Sequence, residues 1–158
     1  MRYISILFLL SILVGCSTTP ISYQSKEMSL TKSPIMIDRM VMTQHRKWKP
    51  DYFIMTEHYF GWDYGSYSSG HIIGGAYSGV VIGKTNSTTR EVGERVYYDE
   101  IAEVKLLDWT RKFKQWYVVT LYDDGGQEIK HMLRTRKLKD AKSMVDALNS
   151  FLKEQNKS

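Results

Sequence analysis

Between Gln115 and Leu133 the chain carries two strand-like runs around a strong turn signal, and this stretch limits the choice of fold more than any other. Gln115 to Tyr122 (Gln-Trp-Tyr-Val-Val-Thr-Leu-Tyr) is built from aromatic and β-branched side chains that suit a pleated, half-buried surface. Asp123-Asp124-Gly125-Gly126 supplies glycines for the positive φ that tight hairpins require, so Gln127 to Leu133 is expected to return antiparallel. The period then changes. Leu138, Ala141, Val145, Leu148 and Leu152, joined by Met144 and Phe151, form one apolar stripe from about Lys137 to Glu154, with Lys139, Asp140, Lys142, Asp146, Asn149 and Lys153 opposite. A helix of this kind needs an apolar surface to cover, and a curved sheet provides one.

The rest of the domain reads mostly as strand. Ile35 to Met42 alternates bulky residues and is expected as a first strand, with a short helix as the alternative. Trp48-Lys49-Pro50-Asp51 is a turn, and Tyr52 to Met55 pairs across Thr56-Glu57 with His58 to Trp62. Arg95 to Tyr98 and Ile101 to Leu107 form another pair broken at Asp99-Glu100. About seven strands before one amphipathic C-terminal helix is a mainly β, α+β order.

That order, with the Asp51 to Trp62 hairpin, the Val96 to Val104 strand pair and the final Trp116 to Leu133 hairpin, resembles GRAM and bacterial pleckstrin-homology-like domains over about residues 35–154. The resemblance implies an antiparallel barrel capped by the last helix, with a Gly-rich insertion. Another small α+β sandwich or a lipocalin-like barrel are the alternatives. Eukaryotic relatives often bind phosphoinositides through basic residues in the first hairpin loop. Here that loop is Thr56-Glu57, without Lys or Arg, so that role is not carried over.

The N-terminus addresses the compartment. Arg2 precedes an apolar run from Ile4 to Val14 of about a dozen residues, shorter than the roughly 20 a spanning helix needs, as in a secretory signal peptide. The run ends in Leu13-Val14-Gly15-Cys16, which resembles the lipobox of bacterial lipoproteins. The resemblance implies cleavage of residues 1–15 and acylation of Cys16, with palmitate among the chains. Cys16 is the only cysteine, so it has no intramolecular disulfide partner. In Gram-negative lipoproteins Asp at the next position resembles an inner-membrane retention signal, so under this resemblance Ser17 implies the outer membrane, facing the periplasm. Removing Arg2 lowers the formal charge from +5 to +4, a mild surplus that suits acidic headgroups and equally suits a domain with no charged partner. No nucleic-acid partner is expected.

Residues 16–33, rich in Ser, Thr and Lys, read as the lipidated cysteine and a flexible tether. Residues 34–154 form the domain, 65–83 its insertion and 155–158 a tail. In the insertion, Gly75, Gly79 and Gly83 recur every fourth residue. On a helix that spacing makes a close-packing face, and it resembles the glycine zippers of envelope lipoproteins. A Gly/Ser loop between strands is the simpler reading.

No chemistry-bearing constellation emerges. His45, His58, His71 and His131 show no metal-ligand spacing. Asp99-Glu100 and Asp123-Asp124 sit in turns, no nucleophile elbow is present, and the glycine stretch lacks a phosphate-loop ending. Catalytic residues, metal ligands and cofactors are therefore all expected to be none. The segment Asp108 to Lys114 mixes Trp109 and Phe113 with Arg111, Lys112 and Lys114, as interfacial loops do. Trp109, Arg111, Lys112 and Phe113 join the three glycines as the candidate interaction surface. The expected function is a non-enzymatic protein- or lipid-interaction module of the envelope. The alternatives are a phage-exclusion or immunity lipoprotein and a small envelope hydrolase.

Overall fold

The computed structural model describes residues 16–73, 76–77, 80–81, 84–111 and 114–156, with side chains described for 18–65, 93–111 and 114–156. In chain order it contains β1 (Cys16–Ile21), α1 (Ser33–Thr43), β2 (Tyr52–Met55), β3 (Tyr59–Ile73), β4 (Ala76–Tyr77), β5 (Val80–Val81), β6 (Lys84–Tyr97), β7 (Glu103–Arg111), β8 (Lys114–Tyr122), β9 (Glu128–Thr135) and α2 (Leu138–Gln155). A short 3-10 turn at Tyr98–Glu100 makes the expected break between β6 and β7.

The molecule is mainly β, with antiparallel pairing throughout and a C-terminal helix. Its strands form a β1-β7-β8-β9 sheet, a β2-β3-β6 sheet and the two-stranded β4-β5 pair. The two larger sheets are not closed into a barrel. Both contribute to one core: Phe53, Phe60, Trp62 and Val96 meet Leu106, Val119, Leu121 and Met132 under Met144, Leu148 and Phe151 of α2. Phe60 is the hub, with ring centroids 4.8 Å from Tyr98 and 5.7 Å from Phe151. The Tyr98 hydroxyl reaches back to donate to the carbonyls of Thr56 (2.9 Å) and Tyr59 (3.1 Å), tying the first hairpin to this core.

The β8–β9 and β2–β3 hairpins are present as expected, but Arg95–Tyr98 and Ile101–Leu107 do not pair with each other: the turn at Tyr98–Glu100 carries the chain from one sheet to the other, where β6 pairs with β3 and β7 with β1 and β8. The β8–β9 turn closes with Gly126 at φ 73° and the Gln127 amide donating to the Asp123 carboxylate at 2.7 Å. In the β2–β3 turn, Thr56 Oγ1 accepts from the amides of His58 (3.2 Å) and Tyr59 (3.1 Å).

Two further expectations are corrected. The stretch Ile35 to Met42 is α1, not a strand. Ser33, Ile37 and Val41, four apart, are its buried residues, while Ile35 is 69% exposed. The apparent alternation thus came from an exposed isoleucine, and Pro34 suits a first helical turn, where its missing N–H costs nothing. Secondly, residues 16–33 do not all hang free. Cys16–Ile21 pairs with β7, from Cys16↔Arg111 to Ile21↔Leu106. Beyond it, the Tyr23 hydroxyl donates to both Asp146 carboxylate oxygens at 3.1 Å, the Lys26 amide to Asp146 at 2.8 Å, and the Met28 amide to Ser150 Oγ at 2.9 Å. Polar composition suggested a tether, but these backbone groups find partners on β7 and α2.

The glycine-rich segment, open between loop and helix from sequence, has an extended backbone over its described residues. Ser66 to Ile73 pairs in register with Glu91 to Lys84, and Ala76↔Val81 and Tyr77↔Val80 continue the pairing outward. β2 accompanies β3 only from Phe60 to Asp63, so beyond it β3 and β6 run on as a two-stranded ribbon. The ribbon begins at a bulge between Asp63 and Ser66, where Gly65 has φ 74° and donates its amide to Asp63 Oδ1 at 2.7 Å.

Candidate functional site

The described residues with the most concentrated chemistry lie at one end of the β1-β7-β8-β9 sheet, on the face turned away from the core. Side chains alternate along β8: Tyr117, Val119 and Leu121 join or pack against the core, which leaves Trp116 and Val118 for the outer face. Register brings the neighbours. Trp109 lies across from Trp116, Val118 from Arg134, and Thr18 from Trp109. The loop after α1 then lays His45 and Trp48 over this row.

The three indoles touch. Trp48 meets Trp116 edge-on with centroids 4.8 Å apart, and lies 6.4 Å from Trp109. His45 is 5.6 Å from Trp48 and 6.4 Å from Trp116. Arginines cover the rings: Arg111 is 4.3 Å from the Trp109 centroid and Arg136 is 4.9 Å from that of Trp116. Arg134 is shared, 5.2 Å from Trp48 and 5.7 Å from Trp109. Guanidinium groups favour such faces because the ring quadrupole attracts cations and their flat geometry allows stacking.

Arg134 is the least satisfied member of the group. Its Nε is buried and has no hydrogen-bond partner among the described residues. Burial is the main cause lowering its pKa, Arg111 adds to this, and Glu128 and Tyr64 oppose it. Arg111, Arg134 and Arg136 form no ion pair with a described carboxylate, whereas Lys105, Lys130 and Lys153 pair with Glu103, Glu94 and Glu27.

Next to Arg134 is His131, 6.0 Å from Trp109. Burial, then Arg134, Lys130 and Arg111, push its pKa down to about 4. At neutral pH the ring is therefore uncharged. Nδ1 accepts from Thr120 Oγ1 at 2.8 Å, and Nε2–H donates to Glu128 at 3.1 Å as a hydrogen bond rather than an ion pair.

A cleft of about 630 Å³ opens beside the indoles, between α1, the ends of β8 and β9, and the first turn of α2. Its walls include Met40, His45, Lys114, Trp116, Arg134 and Arg136, with Asp140 as its acid. A smaller cleft of about 260 Å³ runs along the outer face past Thr18, Trp109, Arg111 and His131. Elsewhere, His58, Glu57 and Asp99 border a cleft of about 350 Å³, but no hydrogen bond joins the His58 ring to either carboxylate. Among the described residues, no group of three or more His, Cys, Asp or Glu could hold a metal ion. No described helix is long and apolar enough to cross a membrane.

Of the residues singled out from sequence, Trp109 and Arg111 stand within this cluster. Lys112, Phe113, Gly75, Gly79 and Gly83 lie outside the described residues. Cys16 has a described backbone, directly across from Arg111, and its side chain is outside the described set. Sequence reasoning missed Trp48, Trp116, Arg134 and Arg136. The spacing of Arg134 and Arg136, at and just past the end of β9, was a usable signal, but Trp48 read as a turn residue, and only the tertiary fold brings it over β7 and β8.

No family model, no curated protein and no solved structure matches the chain.

Proposed function

We propose that the chain is a lipid-anchored protein of the bacterial envelope that acts as a non-enzymatic interaction module. It is held by acyl chains on Cys16 and stationed at the periplasmic face of the outer membrane. The observation that carries this reading is the pairing of Cys16 with Arg111, since it sets the lipobox cysteine beside the Trp–Arg cluster instead of at the end of a free tether. A surface of half-buried indoles and of guanidinium groups that form no ion pair among the described residues suits recognition, because both bind through faces and edges without needing a reacting atom. The strand-then-helix order also supports a pleckstrin-homology-like ancestry in opened form. The ribbon from Ser66 to Glu91 supplies a second surface for a protein partner, since its outer backbone edges pair with no third strand among the described residues.

Mass spectrometry of the N-terminal peptide from the native host tests the anchor. A diacylglyceryl thioether on Cys16, with loss of residues 1–15, is the expected result, and Cys16→Ala should release the chain from the membrane fraction. An unmodified Cys16 in a processed chain overturns the reading. Crosslinking and pull-down with and without residues 66–83 tests the ribbon, and an unchanged partner set removes it as the interaction surface.

A further inference from the structure

We infer that the Trp–Arg end of the β1-β7-β8-β9 sheet docks on an anionic bilayer surface, and that the adjoining cleft takes a lipid headgroup phosphate between Lys114, Arg134 and Arg136. The inference rests on lipidation of Cys16 and deepens it by naming what the anchored domain touches. The bilayer is the one that holds the acyl chains.

Position carries the first part of the argument. Cys16 is across from Arg111, and Arg111 is across from Lys114, a residue of the cleft wall. Adjacent strands are about 4.8 Å apart, so the lipid-bearing residue stands about 10 Å from the mouth of the cleft. Because β1 pairs along β7 from Cys16 to Ile21, the anchor is held at this end unless the ladder frays from Cys16 inward. The membrane surface is thus brought to the cluster by the covalent anchor.

Charge and chemistry carry the second. Among the described residues, Lys114, Arg134, Arg136 and Lys137 line the cleft against the one acid Asp140, with Arg111 nearby. Arg134 has a buried Nε without a hydrogen-bond partner among the described residues, on a side chain that forms no ion pair with a described carboxylate. A fork of fixed N–H donors without an acceptor fits a phosphate, which offers several oxygens in matching geometry. Trp48, Trp109 and Trp116 are half-buried and in one cluster, with Trp116 in the cleft wall, the setting in which indoles sit at headgroup depth with an apolar body and a polar N–H. The site is on a different part of the fold from the Thr56-Glu57 hairpin loop.

The test uses the purified lipidated protein, its Cys16 modification first verified by mass, reconstituted into vesicles of phosphatidylcholine alone or mixed with phosphatidylglycerol. Tryptophan quenching by a lipid brominated near the headgroup reads the contact, while Trp62, 3% exposed in the core, supplies an unquenched background. Quenching should be strong with phosphatidylglycerol, weak without it, and should fall as salt rises. In the same chain released by Cys16→Ser, partitioning onto the anionic vesicles should drop about fivefold for each of Arg134→Gln and Arg136→Gln. Arg136 is exposed, so its variant keeps the test interpretable if Arg134→Gln misfolds. Equal quenching on both vesicles, or none on either, overturns the inference. So does glycerol phosphate altering the tryptophan emission when anionic vesicles do not, since this assigns the cleft to a soluble phosphate. A chain from the native host whose mass shows no lipid on Cys16, but which still binds anionic vesicles through Arg134 and Arg136, sinks the anchor and leaves the docking surface standing.

Discussion

The guanidinium of Arg134 lies 5.2 Å from the ring centroid of Trp48, joining a residue of the last strand to one in the loop after the first helix. That contact ties α1's exit to the outer face of the larger sheet, although Arg134 leaves a buried donor without an acceptor. A group retained at a cost to stability is a mark of function, and it can be tested as such.

If Arg134 serves recognition, a side chain that fills its space without its donors should not harm the fold. Arg134→Met keeps the stem over the rings and removes the orphaned Nε, so its urea midpoint should equal or exceed that of the parent chain. Arg134→Ala removes the packing too and should cost about 1–2 kcal/mol. A large loss in Arg134→Met would show instead that the guanidinium is a structural tie.

Gly65 should resist substitution. Its φ of 74° is unfavourable for side chains, and an added Cβ would come within 2.5 Å of Asp51 Oδ2. Gly65→Ala is expected to destabilise by at least about 1–2 kcal/mol in urea unfolding. Adding Asp51→Ala should relieve the contact and leave the backbone strain, giving partial recovery. Full recovery would show that the collision alone makes glycine necessary.

The pH response of the domain should carry a component from His131. Its pKa falls from 6.5 in the unfolded chain to about 4 in the fold, so the unfolded state binds more protons between those values. Stability from this group is present above about pH 6.5, declines as pH drops toward 4, and falls no further below. For a partly exposed ring the loss is about 1–2 kcal/mol. Comparing urea midpoints of the parent and His131→Gln at pH 7.5 and 4.5 isolates it. An imidazole NMR titration centred near 6.5 would contradict the expectation.

The N-terminal segment should loosen when its dock is removed. Asp146 accepts from the Tyr23 hydroxyl and the Lys26 amide, and these hydrogen bonds hold the segment to α2. Asp146→Ala should speed amide exchange over residues 22–28 about tenfold and lower global stability by about 1 kcal/mol. Unchanged exchange there would mean that the β1–β7 ladder and Met28–Ser150 suffice.

The terminal hairpin and α2 were legible because each carries its own period and punctuation. Alternation in Gln115 to Tyr122, glycines at the turn and an apolar stripe from Leu138 to Leu152 can be read without knowing any neighbour. The Tyr52 to Trp62 hairpin was legible for the same reason. Ile35 to Met42 was not, because a short bulky run fits both periods, and what decided it was which residues α2 and the sheets could cover. Burial of Ile37 and Val41 made it a helix.

Trp109 and Arg111 could be picked out because they crowd into one short stretch. Trp48, Trp116, Arg134 and Arg136 lie apart in the chain and meet only through strand register and the placement of a loop. The sequence by itself therefore determined the local elements whose residues supply their own pattern. The tertiary structure decided the pairing of β1 with β7, the open arrangement of the sheets and the assembly of the Trp–Arg face. Those depend on contacts between distant segments, which form only where the whole chain can bury its apolar faces and satisfy its backbone together.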